Sequence, residues 1–445
     1  MDEKLNIKQR LLIGSLLFGL FFGAGNLIFP VELGQAAGSS VGLATIGFLI
    51  TGVGLPILGI IGSALSESDS LFDMASLVSR SYALFFTCAL YLTIGPLFAI
   101  PRTATVAFEV GVGVFIAKEY INVGLFIFSL IFFAITLYFS LRPGKILDWI
   151  GKYLTPIFLI LLSTLLLITY IKPMGQVGQF PPQGDYVSNA LFRGFLDGYN
   201  TMDALASLAF AIIITSSIKK MGVDNPRIIA VETAKSGLVA IIGMTIIYGS
   251  LAYMGATSLG SVSRASNGGV ILSMVSEYYY GVIGKILLAA IVAVACLKTA
   301  IGLITACSSI FSEMFPNSIS YSKYAVLFTL SSLVIANFGL ENIIKLSVPV
   351  LMFLYPLAIA LIILSLLTPF IDKNRYIYSW TIGMTLVFAV FDLLNALPDS
   401  IKDSKIMELF INFAKNYLPG FEYGFGWVIP AIIGFIIGYI RKQQD

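Results

Sequence analysis

The first apolar stretch of this 445-residue chain is interrupted where a simple membrane-spanning helix would be continuous. Residues 11–33 are long enough to cross a bilayer, but they contain the run Gly23-Ala24-Gly25-Asn26 and then Pro30. Each glycine costs about 1 kcal/mol of helix stability relative to alanine, and an interior proline about 3 kcal/mol. In hydrocarbon, the freed N–H and C=O groups need partners from protein or from a hydrated cavity. This stretch therefore predicts either a helix broken at a binding site or a glycine-rich helix packed closely on a neighbour.

The composition is that of a polytopic membrane protein, because 58% of the residues are hydrophobic and 11% are charged, against about 25% charged residues in an ordinary soluble domain. A formal charge of +3 gives no reason to expect a nucleic-acid partner. The chain has no His, its three Cys lie in apolar runs, and it carries no phosphate-binding loop and no paired-carboxylate motif. We therefore expect no enzymatic activity and no cofactor.

Apolar runs of about 20 residues, the length that crosses a bilayer, recur along the whole chain. We predict twelve spans, at residues 11–33, 41–65, 82–116, 122–140, 148–171, 189–215, 226–256, 279–311, 321–338, 342–368, 376–396 and 424–440. Lys and Arg are more frequent in the loops on the side of the N-terminus than in the opposite loops. The positive-inside rule then places both termini in the cytoplasm.

A second interruption falls at the start of the sixth span, where residues 194–203 contain several polar side chains and two glycines. Arg193 and Asp197 are spaced as an i, i+4 pair that could cap the helix at the outer interface. Asp203 lies deeper, roughly 15 Å from Arg193 along a helix. A carboxylate at that depth is costly in lipid and normally faces a cavity or a partner, so we expect Asp203 to face a cavity.

The two interruptions are five spans apart. Interrupted helices at corresponding positions of two halves indicate the substrate site of an inverted-repeat transporter. We therefore predict an all-α membrane protein with one transporter domain over residues 1–445. In this prediction residues 11–171 form the first repeat of five helices, residues 189–368 form the second, and residues 376–440 hold two additional helices.

Two further spans contain charged residues inside the membrane. In span three, Arg102 and Glu109 are seven positions apart, hence on nearly the same helical face, and we expect them to form a gating or structural pair. In span eight, Lys298 lies about 20 Å beyond Lys285, too deep to reach the interface easily. We expect it to find acceptors among the carbonyls freed by the first break, or at Asp203.

Seven regions of the sequence, from span one to span ten, resemble the bacterial branched-chain amino acid:cation symporters, a family of the amino acid-polyamine-cation superfamily. They are FFGAGNLIFPVELGQAAG at 21–38, FLITGVGLPILGIIG at 48–62, LYLTIGPLFAIPRTATVAFE at 90–109, GFLDGYNTMDALASLAF at 194–210, AYMGATS at 252–258, VACLKTAIGLITAC at 294–307, and IANFGL with SVPVLMFLYPLAI within 335–359. The resemblance implies a LeuT-like five-plus-five inverted repeat. It also implies import of Leu, Ile and Val across the bacterial inner membrane by alternating access, with Na⁺ or H⁺ as the coupling ion. We expect the lipid bilayer and the small-molecule substrate as partners, and no obligate protein partner.

Within that resemblance the binding residues can be assigned by chemistry. N–H groups at a half-helix N-terminus suit the substrate carboxylate, which we assign to Gly23, Ala24, Gly25 and Asn26. Carbonyls freed by the break in span six, with Asp203 nearby, suit the substrate ammonium. A dry pocket for the aliphatic side chain is assigned to Tyr91, Phe210 and Ile301. The superfamily commonly holds sodium between carbonyls of span one and hydroxyls of span eight, which implies a candidate Na⁺ site at Gly19, Phe22 and Thr299.

The sequence departs from the family at Lys298, where a Thr is usual. We expect the lysine to stand in for sodium, so that transport is proton-coupled or independent of cations. A cation-independent exchanger or uniporter and a channel stay open as alternatives, of which the channel is favoured less.

Overall fold

A computed structural model of the chain describes residues 4–68, 70–142, 147–265, 267–398, 402 and 405–443. The regular elements of this described part are all helical. The helices of the first half are α1 (Ile7–Phe21), α2 (Ala24–Ala37), α3 (Val41–Leu49), α4 (Leu55–Leu65), α5 (Leu71–Ser76), α6 (Arg80–Leu92), α7 (Ala99–Ala107), α8 (Ile121–Ser140) and α9 (Thr155–Ile171). Those of the second half are α10 (Tyr186–Tyr199), α11 (Asp203–Lys219), α12 (Pro226–Ser258), α13 (Gly268–Met314), α14 (Tyr321–Ala336), α15 (Leu340–Ile371), α16 (Arg375–Ala396), α17 (Lys405–Tyr417) and α18 (Val428–Lys442).

Eight described helical segments are long and apolar enough to cross a membrane, and the bent pair α10–α11 makes a ninth. The twelve predicted spans differ from this count for two reasons. The segment Ala24–Leu65 is continuous by helical hydrogen bonding but turns at Gly38, whose φ of +49° is left-handed, so that it holds parts of two predicted spans. In addition, α14 and α18 have 16 and 15 residues, shorter than a full bilayer crossing.

The break in the first span lies between α1 and α2. Phe22 leaves the helix with ψ of 92°, and Gly23 is extended, with φ −116° and ψ −156°. The N–H of Gly23 donates to the side-chain oxygen of Asn26 at 2.8 Å and so does not continue the α1 ladder. Helix α2 then runs through Pro30 without ending. The chain is therefore broken by the glycine segment alone, and the proline only removes one bond inside α2.

The break in the sixth span lies between α10 and α11, which meet at a bend of 43°. Residues 194–198 of the predicted interruption are helical, and the irregular backbone is confined to Asn200, Thr201 and Met202. Met202 has a φ of +63°, a left-handed conformation that costs a non-glycine residue about 1–2 kcal/mol. Surrounding packing must hold this residue in place, since Met202 is almost fully buried.

Glycines bring the helices of the two halves into backbone contact. A methyl group added at Gly34 of α2 would lie 2.0 Å from the carbonyl oxygen of Ala252 in α12. In the same way, a methyl group at Gly194 of α10 would lie 2.0 Å from the carbonyl oxygen of Ala44 in α3. Helix α2 of the first span thus packs on α12 of the second half, and α10 of the sixth span packs on α3 of the first half. This crossed pairing fixes both broken helices against unbroken ones.

A third irregularity lies in span three, between α6 and α7. The backbone makes a wide helical turn over Thr93–Leu97, within which Gly95 has non-helical angles. Pro96 follows and removes a backbone donor. The bend brings Ile94, Ala99 and Arg102 towards the two breaks.

Candidate functional site

The two helix breaks and the bend of span three enclose one small cavity. Its volume is about 20 Å³, room for about one water molecule. The lining residues come from the ends of α1 and α2, from the bend before α7, from the start of α11 and from the middle of α13. They are Leu20, Phe21, Gly23, Ala24, Gly25, Asn26, Ile94, Ala99, Arg102, Thr103, Thr201, Met202, Asp203, Ala206, Phe210, Thr299 and Leu303.

Asn26 joins the two breaks. Its side-chain oxygen accepts the Gly23 N–H, while its Nδ2 donates to Asp203 Oδ2 at 2.5 Å and also to the Tyr248 hydroxyl. The amide is therefore occupied by the protein itself. Asn26 lies at the predicted site, but its side chain holds the site together, and the free donors of α2 are the backbone N–H groups of its first turn.

Asp203 is the first residue of α11 and is 2% exposed. Besides Asn26, its Oδ2 accepts a hydrogen bond from the Tyr248 hydroxyl at 3.1 Å. Its own backbone N–H donates to the Thr201 hydroxyl at 3.3 Å. Both side-chain bonds end on the same carboxylate oxygen, so neither Asn26 nor Tyr248 bonds Oδ1.

Arg102 lines the same cavity and is 4% exposed. Its guanidinium lies over the Phe29 ring, 5.4 Å from the centroid, and within the described part of the chain it makes neither a hydrogen bond nor an ion pair. The predicted pairing with Glu109 is wrong: Glu109 is exposed and its Oε1 accepts the backbone N–H of Leu340 at 3.4 Å. The seven-residue spacing fails because the backbone widens again at Phe108–Val112.

The cavity lining also has an apolar part. Leu20, Phe21, Ala206, Phe210 and Leu303 form it, and the Phe21 and Phe210 rings are tilted against one another at 5.9 Å. The cavity thus combines a carboxylate, a guanidinium and a helix N-terminus with a hydrocarbon wall. This combination suits a small molecule that is charged at one end and aliphatic at the other.

Of the twelve residues expected at the site, seven line the cavity: Gly23, Ala24, Gly25, Asn26, Asp203, Phe210 and Thr299. Tyr91 and Ile301 are buried but are not part of the lining, and the Tyr91 hydroxyl donates to the Ala209 carbonyl at 3.4 Å. Ile301 falls on another face of α13 than Thr299 and Leu303, which are four positions apart.

Gly19 and Phe22 also lie outside the lining. A methyl group at Gly19 would meet the Thr155 hydroxyl, so Gly19 faces α9. The Phe22 ring stacks on Phe18 at 5.1 Å and packs on Phe158 at the same distance.

Lys298 is fully buried in that aromatic cluster. Its Nζ lies 4.1 Å from the Phe158 centroid, 5.4 Å from that of Phe18 and 5.7 Å from that of Phe22. Among the described residues Lys298 has no hydrogen-bond partner, so the expectation that the freed carbonyls or Asp203 accept a hydrogen bond from it is wrong. The neighbouring Thr299 hydroxyl also lacks a partner and lies beside Gly23, where an added methyl group would be 2.7 Å away. An unpaired hydroxyl beside a helix break fits an ion or a water molecule.

A wide vestibule of about 630 Å³ opens beyond the Phe29 ring. Arg193 and Asp197 line it and form the expected i, i+4 pair at 3.1 Å, and the Tyr186 hydroxyl also donates to Asp197. The ring of Phe29 borders this vestibule and also touches Arg102 of the cavity. The Phe29–Arg102 stack therefore separates the two spaces.

The most important partner that the sequence did not reveal is Tyr248, which lies within an unremarkable apolar run of α12. Only the packing of α2 on α12 brings its hydroxyl to Asn26 and Asp203. Arg102 could have been predicted at the site because it is a cation inside a span. Its seven-residue spacing from Glu109 instead led to the prediction of an Arg102–Glu109 pair.

Comparison with known proteins places this geometry in context. The family described as "Branched-chain amino acid transport protein" matches residues 6–445. The branched-chain amino acid permease BrnQ of Lactobacillus delbrueckii subsp. lactis is 47% identical, with all of both chains covered. Among solved structures, the nucleobase-cation-symport-1 family transporter Mhp1 is similar at a TM-score of 0.62 and 12% identity, covering 96% of this chain and 91% of that one. MhsT in complex with L-phenylalanine is similar at a TM-score of 0.56 and 16% identity, covering 99% of each. At these identities the solved structures establish the inverted-repeat fold alone.

Proposed function

This chain belongs to the family of branched-chain amino acid transport proteins, a premise from which we propose that it imports Leu, Ile and Val across the bacterial cytoplasmic membrane by alternating access. It is a multi-pass transporter and not an enzyme. The observation that carries the substrate proposal is the cavity itself, whose lining combines Asp203 and the N-terminus of α2 with apolar side chains.

The substrate's ammonium is assigned to Asp203, whose Oδ1 is not taken by the bonds from Asn26 and Tyr248. The carboxylate is assigned to the N–H groups that begin α2, at Ala24, Gly25 and Asn26, because these have no partner in the preceding turn. The aliphatic side chain is assigned to the wall around Phe210.

The cavity of about 20 Å³ is too small for an amino acid, so substrate binding requires the lining to move. The vestibule beyond Phe29 is the route that we propose for the substrate, on the side opposite the N-terminus. With both termini in the cytoplasm, this vestibule faces outward. The two broken helices supply the mobile halves, since each half is already uncoupled from the other in its backbone hydrogen bonds.

For the coupling ion we propose the proton, with Lys298 as its binding group. An ammonium with only ring faces around it is stabilised by about 2 kcal/mol or more when desolvated, which is less than the cost of burying a charge. Loss of a proton from Lys298 during the transport cycle would remove the buried charge and its energetic cost. A sodium ion at Thr299 with carbonyls of Gly19 and Phe22 is the second candidate, and the unpaired Thr299 hydroxyl favours it.

The proposal is tested by uptake of labelled leucine into proteoliposomes with sodium and proton gradients imposed separately. We expect saturable uptake and tracer counterflow, which a channel does not give, and loss of both in Asp203→Asn. Uptake that does not saturate, or an Asp203→Asn variant with unchanged KM, would contradict the proposed site.

A further inference from the structure

The cavity holds one positive and one negative side chain. Of the lining residues that the structure describes, only Arg102 and Asp203 are ionisable. Asp203 is held by Asn26 and Tyr248, whereas no described residue accepts a hydrogen bond from the five N–H groups of the Arg102 guanidinium. A buried guanidinium without an acceptor is costly, because it has lost its water and gained no hydrogen bond.

Arg102 points at the start of α2. A methyl group added at Gly25 would lie 3.1 Å from Arg102 Nη2, so the guanidinium approaches the backbone of Gly25 closely. The N-terminus of a helix carries a partial positive charge, and a cation beside it is unfavourable unless an anion joins them. Two positive groups therefore meet beside Gly25, whereas the one acidic side chain of the described lining, Asp203, accepts its hydrogen bonds from Asn26 and Tyr248.

We infer that Arg102 binds the carboxylate of the substrate together with the first N–H groups of α2, and thereby restricts transport to α-amino acids. This inference rests on the proposed function, since it assigns a residue to the substrate site proposed above. The planar guanidinium can donate two parallel hydrogen bonds to a carboxylate, a geometry that a helix N-terminus alone does not provide.

The net charge of the occupied cavity explains why a zwitterion would be selected over an amine or a carboxylic acid. Arg102 and Asp203 together are neutral, and a zwitterion leaves the occupied cavity neutral. An amine without a carboxylate would leave a net positive charge in a space sealed from water, and a carboxylic acid without an amine would leave a net negative one. Either imbalance is costly at low dielectric. Arg102 also lies over the ring of Phe29, and Phe29 lines the vestibule. The guanidinium that binds the carboxylate is therefore next to the proposed entry route.

The experiment measures equilibrium binding of labelled leucine to the purified full-length protein, in competition with two analogues of the same hydrocarbon skeleton, 3-methylbutylamine and 4-methylpentanoate. In the unmodified protein both should compete roughly 100-fold more weakly than leucine, or worse. In Arg102→Gln, leucine should bind about 10- to 100-fold more weakly, while 3-methylbutylamine should bind no more weakly than before. Asp203→Asn should also weaken the binding of leucine, but 4-methylpentanoate should bind no more weakly to this variant than to the unmodified protein.

Arg102→Lys keeps the positive charge but cannot donate two parallel hydrogen bonds to a carboxylate. It is the second test variant if Arg102→Gln does not fold. It should still reject 3-methylbutylamine but bind leucine less tightly. Arg142→Gln is the matched control, because Arg142 also lies over an aromatic ring, that of Tyr138 at 4.0 Å, yet is exposed and far from the lining. Unchanged leucine binding in Arg102→Lys, or unchanged discrimination in a folded Arg102→Gln, would overturn the inference. Failure of the unmodified protein to transport leucine would instead overturn the proposed function.

Discussion

Asn26 and Asp203, 177 positions apart in the chain, are joined by a hydrogen bond of 2.5 Å that links the break in the first span to the break in the sixth. Asn26 also accepts the Gly23 N–H, so that one amide fixes the backbone of one break and the carboxylate of the other. Both residues are almost fully buried, at 2% exposure each. The two half-sites are therefore positioned by one side chain.

Replacing Asn26 with Leu should damage transport strongly, because it leaves the Gly23 N–H without its acceptor and removes one of the two side-chain donors to the Asp203 carboxylate. A buried unsatisfied polar group costs about 1–3 kcal/mol. We expect leucine KM to rise at least tenfold and the melting temperature of the purified protein to fall. Asn342→Leu is the matched control, since Asn342 is exposed on α15 and bonds only the Phe338 carbonyl. An Asn26→Leu variant with ordinary KM would show that the bridge is dispensable.

Tyr248→Phe removes only a hydroxyl that donates to Asp203 at 3.1 Å, while the ring keeps its contacts with Phe22 and Phe48. Because a hydrogen bond to a charged group contributes about 1.5–3 kcal/mol, leucine KM should rise about tenfold with little change in thermal stability. Initial uptake rates over a range of leucine concentrations measure this. Tyr253→Phe, on the same helix but stacked on Tyr170, should behave like the unmodified protein.

Gly34→Ala should destabilise the fold, because its methyl group would lie 2.0 Å from the Ala252 carbonyl oxygen and force α2 away from α12. Overpacking of this kind costs about 1–3 kcal/mol or more. Gly249→Ala on α12 meets nothing within 4 Å and gains helix propensity, so it should leave stability equal or higher. Thermal unfolding followed by size-exclusion chromatography compares the two. Equal stability of both variants would refute the close packing.

Arg10 and Glu232 form a two-pronged ion pair, at 2.6 and 3.0 Å, that ties the start of α1 to α12. Glu232→Gln should loosen the attachment of α1 to α12. In a Leu20→Cys variant that lacks the native cysteines, we therefore expect faster labelling of position 20 by a thiol reagent added from the N-terminal side. Glu67→Gln removes the more exposed Glu67–Lys373 pair, which contributes about 0–1 kcal/mol, and should change little. Equal labelling of the two variants would mean that this pair does not hold α1.

Lys298→Met removes the buried charge but keeps an unbranched side chain that fits among the rings of Phe18, Phe22 and Phe158. We expect leucine exchange to persist and accumulation driven by a proton gradient to disappear. Lys285→Met, which breaks only the ion pair with Glu277, should retain accumulation. Strict sodium dependence together with an unimpaired Lys298→Ala variant would reject the lysine as the proton-binding group.

Much of the fold could be predicted from local features. Glycine costs helix stability wherever it stands and charge costs energy in any bilayer, so the breaks near Gly23 and Asp203 were predictable without knowledge of the packing. Predictions that needed a face or a depth were less accurate. The bend at Gly95 and the wide turn after Ala107 changed the faces of span three, which separated Arg102 from Glu109. Similarly, Ile301 and Thr299 were both expected at the site, but two positions along a helix they point in nearly opposite directions.

The sequence by itself determined a polytopic helical membrane protein, its family, the two interrupted spans and the polar residues that had to face a cavity. Each of these follows from what lipid cannot solvate, which is a property of the residues alone. Only the tertiary structure decided which groups meet: the Asn26–Asp203 bond, the Tyr248 hydroxyl, the Arg102 guanidinium at Gly25 and the aromatic cage around Lys298. These contacts join helices distant in the chain, and they depend on backbone approaches at Gly34 and Gly194 that no local pattern encodes.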